Sequence, residues 1–279
     1  MVRAKKSLGQ NFLVDRNLQL KIVEALGAEP DDEVLEIGPG TGALTQHLSG
    51  MVRRFVAVEL DDALAAELER RLEGVPGAEV VHADALTLDL EETFEDVARL
   101  KVVGNIPYNI TTPLIFWLLE RSVRPARIVL MVQKEVADRI LAEPGTKAYG
   151  ALSVGVRAVA EVERLFIVRR GAFRPVPDVD SAVIRITPIR PAPLSSDEEH
   201  DVRALTRAAF SMRRKQLQKI LRSAPGYGLS AEEVDEVARE AGIEPNARPE
   251  TLPPATYIRL ARALRAAGYP REDDITPEE

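Results

Sequence analysis

The chain has 279 residues, 45% of them hydrophobic and 29% charged, which allows one large domain plus a smaller one around a well-buried core. It has no cysteine, which excludes disulfides, thiol nucleophiles and thiolate metal sites and fits a reducing cytoplasm, and no apolar run nears the roughly 18 residues of a membrane span. The formal net charge of −7 speaks against a nucleic-acid partner only until its distribution is read. Residues 271–279 hold five acids and one base, so −4 of the −7 sits in a tail predicted to be disordered, whereas 202–222 holds seven bases and no acid.

Residues 1–13 read as a basic, turn-rich leader, without the apolar core and cleavage site of a secretory signal. Asp15 is placed to cap a helix that runs to about Leu26, with Leu18, Ile22, Val23 and Leu26 on one face and Gly27 ending it. Strand-like runs follow at 33–37, 55–58, 79–82, 100–103 and 128–132, separated by helix-like stretches at about 41–49, 61–73, 88–98, 111–121 and 133–142. This alternation predicts a parallel sheet covered on both faces. Residues 152–168 are strand-like in composition, with a helix over 151–159 as the open alternative, and 182–186 is a further strand. Together they predict a closing hairpin at the sheet edge. Pro188, Pro191 and Pro193 form a linker, and everything after it looks helical. Ser196 with Glu199, and Ser230 with Glu233, read as capping boxes, and a last helix spans about 255–267.

Glu36-Ile37-Gly38-Pro39-Gly40-Thr41-Gly42 follows a predicted strand and opens a helix. Glycines there let the backbone turn sharply and approach a ligand. The spacing is G-x-G-x-G, without the sixth-position glycine of dinucleotide sites (Ala43 stands there), which favours an adenosyl ligand lacking a pyrophosphate. The next strand ends at Glu59, a carboxylate able to accept both ribose hydroxyls. The third ends at Asp84, suited to an adenine amino group. A tight turn, a helix cap or a solvated charge explains each feature singly; three on successive strand ends point to a nucleoside cofactor.

The fourth strand enters Gly104-Asn105-Ile106-Pro107-Tyr108-Asn109. An exocyclic adenine amine is a poor nucleophile because its lone pair is delocalised into the ring. The Asn105 amide oxygen and the Ile106 carbonyl could accept its two hydrogens and aim the lone pair, while Pro107 fixes the chain direction. Tyr108 offers a face for an extruded base. Phe173, held among the prolines of 173–177, is the candidate for the other wall of a base clamp, or else a packed aromatic in a structural loop. His47, His82 and His200 are scattered without metal-ligand spacing, and no metal is expected. Trp117 is expected in the core.

These residues resemble the bacterial 16S ribosomal RNA adenine dimethyltransferases, the family linked to kasugamycin sensitivity. The matching pieces are Gly9-Gln10-Asn11-Phe12-Leu13, the turn from Glu36 to Gly42, Glu59, Asp84, Asn105-Ile106-Pro107-Tyr108, Phe173 through Val183, and Ala209-Phe210-Ser211-Met212-Arg213-Arg214-Lys215. They occur in family order over nearly 3–268; Ile106 where leucine is frequent and the acidic tail are the departures. The resemblance implies an α/β, Rossmann-like methyltransferase fold: a mostly parallel seven-stranded sheet with helices on both faces over 1–190, then a small helical RNA-binding domain over 191–270. It implies S-adenosylmethionine as cofactor, with Asn11 and Leu13 closing over it, Gly38 at its methionine part, Gly40 also contacting it, Glu59 at its ribose and Asp84 at its adenine. Asn105 would serve both cofactor and target. It further implies a monomer that adds two methyls to each of two adjacent adenosines in 16S rRNA on an assembling small subunit. Arg213, Arg214, Lys215 and Lys219 would neutralise RNA phosphates without reading sequence. The competing readings are an adenine methyltransferase acting on DNA or large-subunit RNA, an assembly factor in which binding outweighs catalysis, and a nicotinamide oxidoreductase, for which the missing glycine and the Asn-Ile-Pro-Tyr bend have no use.

Overall fold

Strands buried on both faces must be apolar at successive positions, and the segments that read that way in the sequence pair as parallel neighbours. The computed structural model describes residues 5, 10–108 and 110–270. Gly9 of the opening motif, Asn109 and the tail read as disordered lie outside the described residues.

In chain order the first elements are β1 (Phe12–Leu13), α1 (Arg16–Leu26), β2 (Glu33–Ile37), α2 (Thr45–Leu48), β3 (Arg54–Glu59), α3 (Asp62–Leu72), β4 (Ala78–His82) and α4 (Leu90–Thr93). Then come β5 (Lys101–Asn105), α5 (Thr111–Leu119), β6 (Arg127–Gln133), α6 (Lys134–Ile140), α7 (Ala151–Arg157), β7 (Ala160–Val168), β8 (Phe173–Arg174) and β9 (Ser181–Pro188). The helices α8 (Ser196–Ser211), α9 (Leu217–Ser223), α10 (Ala231–Ala241) and α11 (Pro254–Ala266) complete the described chain.

The sequence expectations for α1 hold in detail. Asp15 accepts from the backbone of Asn17 and Leu18, and Gly27 closes the helix in the left-handed region at φ 61°. The stretch 88–98 is a correction: it forms only the short α4, preceded by a 3-10 turn over Ala85–Thr87, because Asp84 and Asp89 each start a new cap. The segment 152–168 divides into α7 and β7. The first capping box is Ser195 with Glu198, one residue earlier than read, since two serines stand side by side there. The box of Ser230 with Glu233 is as read.

Seven strands form one sheet in the order β4-β3-β2-β5-β6-β9-β7. The first five are mutually parallel, and β9 runs antiparallel to both β6 and β7. β2, β3, β5 and β6 are buried almost throughout. At about 25 cal/mol per Å² of apolar surface this layer dominates the stability of the unit that holds it. A separate two-stranded ribbon pairs β1 with β8.

The described residues separate into two units. One takes the chain through Ala137 together with Ala160–Pro188; the other takes Asp138–Val159 and the chain from Ile189 onward. Residues 138–159, assigned to the first domain on sequence, thus cluster with the helical unit. The cause is aromatic: Tyr149 meets Phe210 edge-on at 6.0 Å, Phe210 stacks on Tyr257 at 6.1 Å, and the Tyr149 hydroxyl donates to the Leu252 carbonyl at 2.7 Å. No helix among the described residues is long and apolar enough to cross a membrane.

Candidate active site

In an open parallel sheet, ligands bind beyond the carboxyl ends of the strands where the strand order reverses. Here the chain builds outward through β2, β3 and β4, then returns to lay β5 and β6 on the other side of β2. The switch point therefore lies between the ends of β2 and β5. A cleft of about 1040 Å³, counted to its open mouth, sits there.

The floor of the cleft is the glycine turn after β2. Gly38 and Gly40 have φ of 64° and 59°, values that residues with a Cβ rarely adopt. A Cβ on Gly38 would stand 3.6 Å from the Asn105 carbonyl oxygen, and one on Gly40 would press at 3.1 Å on the Phe12 ring. Side chains at either position would fill the space where the turn faces the β5 bend and the N-terminal segment.

Glu59, 6% exposed, accepts from the Gly40 backbone N–H through Oε2 and from that of Asp61 through Oε1, both at 2.9 Å. It braces the turn against the end of β3 while keeping lone pairs for further donors. Glu36 is 2% exposed and also lines the cleft. Burial pushes its carboxyl up to about 7, with the nearby Glu59 adding to the rise and the Thr45 hydroxyl, which donates at 2.7 Å, opposing it. Asp84 is exposed; its Oδ1 caps the Leu86 backbone N–H at 3.0 Å, and its neighbours Ala83 and Ala85 face the cleft.

The opposite wall is the bend after β5. The Asn105 amide nitrogen donates to the Asn11 carbonyl at 2.9 Å, which fixes the orientation of the amide. The Ile106 backbone N–H donates to the Met131 carbonyl at 3.2 Å, the last rung before Pro107 stops the ladder. The Pro107 carbonyl then accepts from Ile110 and from the Thr111 hydroxyl, starting α5. Tyr108 is half-buried, its hydroxyl 3.2 Å from the Ser181 hydroxyl, and burial raises its pKa. Asn11, Leu13, Gly38, Gly40, Glu59, Asn105, Ile106, Pro107 and Tyr108 all meet at this cleft.

Phe173 does not. It is 1% exposed and packs in the core with Leu13, Val168 and Val183. The pairing of β1 with β8 explains why: directly opposed residues of an antiparallel pair share a face. Leu13 opposes Phe173 and both point into the core, whereas Phe12 opposes Arg174 on the other face. The expected second wall of a base clamp is therefore a core residue. Trp117, expected in the core, is half-buried and stacks against the Arg121 guanidinium at 4.6 Å.

In the helical unit Arg214, Lys215 and Lys219 are exposed. Arg213 is not available in the same way: its Nε pairs with Glu250 at 2.6 Å, and its other nitrogens donate to the carbonyls of Lys147 and Thr146 at 2.8 and 2.9 Å. It ties a loop to the end of α8.

Sequence reasoning gave no role to Glu36, Phe12, Gln10 or Asp61, although the first three stand in motifs it singled out. Gln10 lines the cleft and donates to Asp61 at 3.0 Å, fastening the N-terminal segment to the start of α3. Glu36 carried a physical signal of its own: a carboxylate near the end of an otherwise apolar strand must have a buried partner or a reason to stay protonated.

The family model described as Ribosomal RNA adenine dimethylase matches residues 1–265. The chain is 46% identical over 269 residues to Ribosomal RNA small subunit methyltransferase A of Geobacter metallireducens, covering 96% of this chain and 98% of that protein. It is 41% identical to the protein of the same name from Geobacillus thermodenitrificans, over 93% of this chain and 90% of that one. Among solved structures, a dimethyladenosine transferase from Plasmodium falciparum superposes with a TM-score of 0.77 at 27% identity, covering 92% of this chain and 98% of that one. The 23S rRNA methyltransferase ErmE superposes with a TM-score of 0.69 at 30% identity, covering 91% and 100%.

Proposed function

The chain belongs to the Ribosomal RNA adenine dimethylase family, and from that premise we propose that it transfers methyl groups from S-adenosylmethionine to the N6 amines of two adjacent adenosines in a hairpin loop near the 3′ end of 16S rRNA, giving N6,N6-dimethyladenosines. It does so as a cytoplasmic monomer on an assembling small ribosomal subunit. The relatives named for the small subunit stand at 40–46% identity, against 30% for the 23S rRNA methyltransferase, which favours the small-subunit substrate.

The cleft fits the cofactor on its own chemistry. A turn with no side chains at Gly38 and Gly40 leaves room for a methionine chain, the Glu59 carboxylate is placed to accept ribose hydroxyls, and Leu60, Ala83 and Ala85 offer an apolar wall to an adenine. Asp84, which stands between the cleft-lining Ala83 and Ala85, would take the adenine amine with the carboxylate oxygen that does not cap Leu86. Asn11 and Leu13 close the N-terminal side. When bound, the cofactor supplies a methyl group on a positively charged sulfur, an electrophile.

The single observation that carries the reading is the Asn105 amide. One of its two N–H groups is given to the Asn11 carbonyl, and its oxygen is the acceptor that the side chain can offer a donor in the cleft. That oxygen takes one hydrogen of the target amine, and the Ile106 carbonyl takes the other. Two acceptors draw the nitrogen toward tetrahedral geometry and aim its lone pair. Pro107 keeps the two acceptors in register, and the Tyr108 ring, anchored through Ser181, stacks on the extruded base. Proton loss needs no strong base, because the N–H groups become acidic as the nitrogen takes on positive charge and both are already held by acceptors.

Incubating the protein with labelled S-adenosylmethionine and undermethylated small subunits, then mapping modified nucleotides by mass spectrometry, tests the reading. Dimethylation of two adjacent adenosines supports it. Label on another base, or none, overturns it.

A further inference from the structure

The basic segment read from the sequence lies in the helical unit, but the sheet-bearing unit has arginines of its own beside the cleft. Arg169, Arg170 and Arg174 are all exposed and lie within six residues of one another, between the end of β7 and the loop that leads to β9. Arg174 opposes Phe12 across the two-stranded ribbon, and Phe12 lies against the glycine turn. Because opposed residues share a face, the Arg174 side chain stands next to a wall of the cleft.

The segment is held at both ends. Val14 donates to the Ala172 carbonyl at 2.9 Å, joining the 3-10 turn of Arg170–Ala172 to β1. The Asp180 carboxylate accepts the Arg170 backbone N–H at 2.9 Å, one residue before Ser181, the anchor of Tyr108. The Arg174 guanidinium spends one nitrogen on the carbonyls of Gly171 and Phe173, and that of Arg170 reaches the Asp178 carbonyl at 3.5 Å. Each keeps further N–H donors, and among the described residues none of the three pairs with a carboxylate. Three exposed guanidinium groups, those of Arg170 and Arg174 held by backbone carbonyls and none of the three compensated by a carboxylate among the described residues, call for anionic oxygens.

We propose that Arg169, Arg170 and Arg174 form a phosphate-binding rim that holds the RNA backbone next to the extruded adenosine. This rests on the reading of the cleft as an RNA adenine methyltransferase site. The rim positions the strand, and the exposed bases Arg214, Lys215 and Lys219 of the other unit add affinity elsewhere along the RNA.

The test is RNA binding by fluorescence anisotropy across salt, using a short RNA hairpin with two adjacent adenosines in its loop. The triple variant Arg169→Gln, Arg170→Gln, Arg174→Gln should bind roughly tenfold or more weakly at low salt and flatten the slope of log K against log salt by about 2. Its affinity for S-adenosylmethionine alone, measured by calorimetry, should match that of the parent, which also reports an intact cleft. The corresponding triple lysine variant should recover most of the slope, and Arg70→Gln, on the exposed side of α3, should leave it unchanged. An unaltered slope in the glutamine triple, or a lysine triple no better than it, overturns the rim. Failure of the parent protein to methylate small subunits would instead overturn the reading of the reaction, so the two failures are separable.

Discussion

The side-chain amide nitrogen of Asn105 donates to the main-chain carbonyl of Asn11 at 2.9 Å, a bond spanning 94 residues of sequence. It joins the residue before β1 to the end of β5 and sets the orientation of the Asn105 amide. Asn105→Ala should therefore lower single-turnover methyl transfer by about 10²–10³, the loss typical of removing one preorganised polar group. Cofactor affinity, read by calorimetry, should fall much less. Equal losses in both would mean that Asn105 holds the cofactor and does not aim the target.

Tyr108 separates stacking from anchoring. Tyr108→Phe keeps the ring and loses only the 3.2 Å contact with Ser181, so turnover on small subunits should stay near that of the parent. Tyr108→Ala removes the stacking face and should cost about 1–3 kcal/mol, seen as a fall in kcat/KM. Unchanged turnover in the alanine variant would remove Tyr108 from the account.

Glu36 predicts a pH signature. Its carboxyl is raised from 4.5 to about 7, first by burial, so the folded protein holds a proton there that the unfolded chain has released. The sign follows: between about 4.5 and 7 the folded state binds more protons, so the contribution of Glu36 to stability is full below 4.5 and is lost as pH rises through 7. Glu36→Gln retains a partner for the Thr45 hydroxyl without the ionisation. Thermal unfolding of the variant should be less sensitive to pH over this window, and the variant should be the more stable of the two above pH 7. Parallel curves for both proteins would refute the assignment.

Arg213 and its neighbours should divide. Arg213→Ala breaks a paired, hydrogen-bonded contact with Glu250 inside the helical unit and should lower stability by about 1–3 kcal/mol. Arg214→Ala, Lys215→Ala and Lys219→Ala together should leave the melting temperature nearly unchanged and flatten the salt dependence of RNA binding. If Arg213→Ala flattens that slope without destabilising the protein, the division fails.

What the sequence made legible follows period and pattern. β2, β3, β5 and β6 could be read because strands covered on both faces are apolar throughout, and α1 because Asp15 and Gly27 mark its ends chemically. The glycine turn and the Asn-Ile-Pro-Tyr bend were readable because each residue type there has a distinct physical job. The burial of Phe173 was not, since its face is set by pairing with Leu13 far away in the chain, and local prolines say nothing about that register. Residues 151–157 and 160–168 both mix valine and leucine with polar residues, a composition in which helix and strand look alike. The internal use of Arg213 depends on Glu250, which only the folded unit brings near.

The most direct test of the central claim is a crystal structure with a non-transferable cofactor analogue and an RNA bearing the target adenosine. The account predicts the adenine amine between the Asn105 amide oxygen and the Ile106 carbonyl, both within about 3 Å, with the ring on Tyr108 and the nitrogen facing the sulfur. An amine bonded to other groups, or a bend turned away from the sulfur, would contradict it.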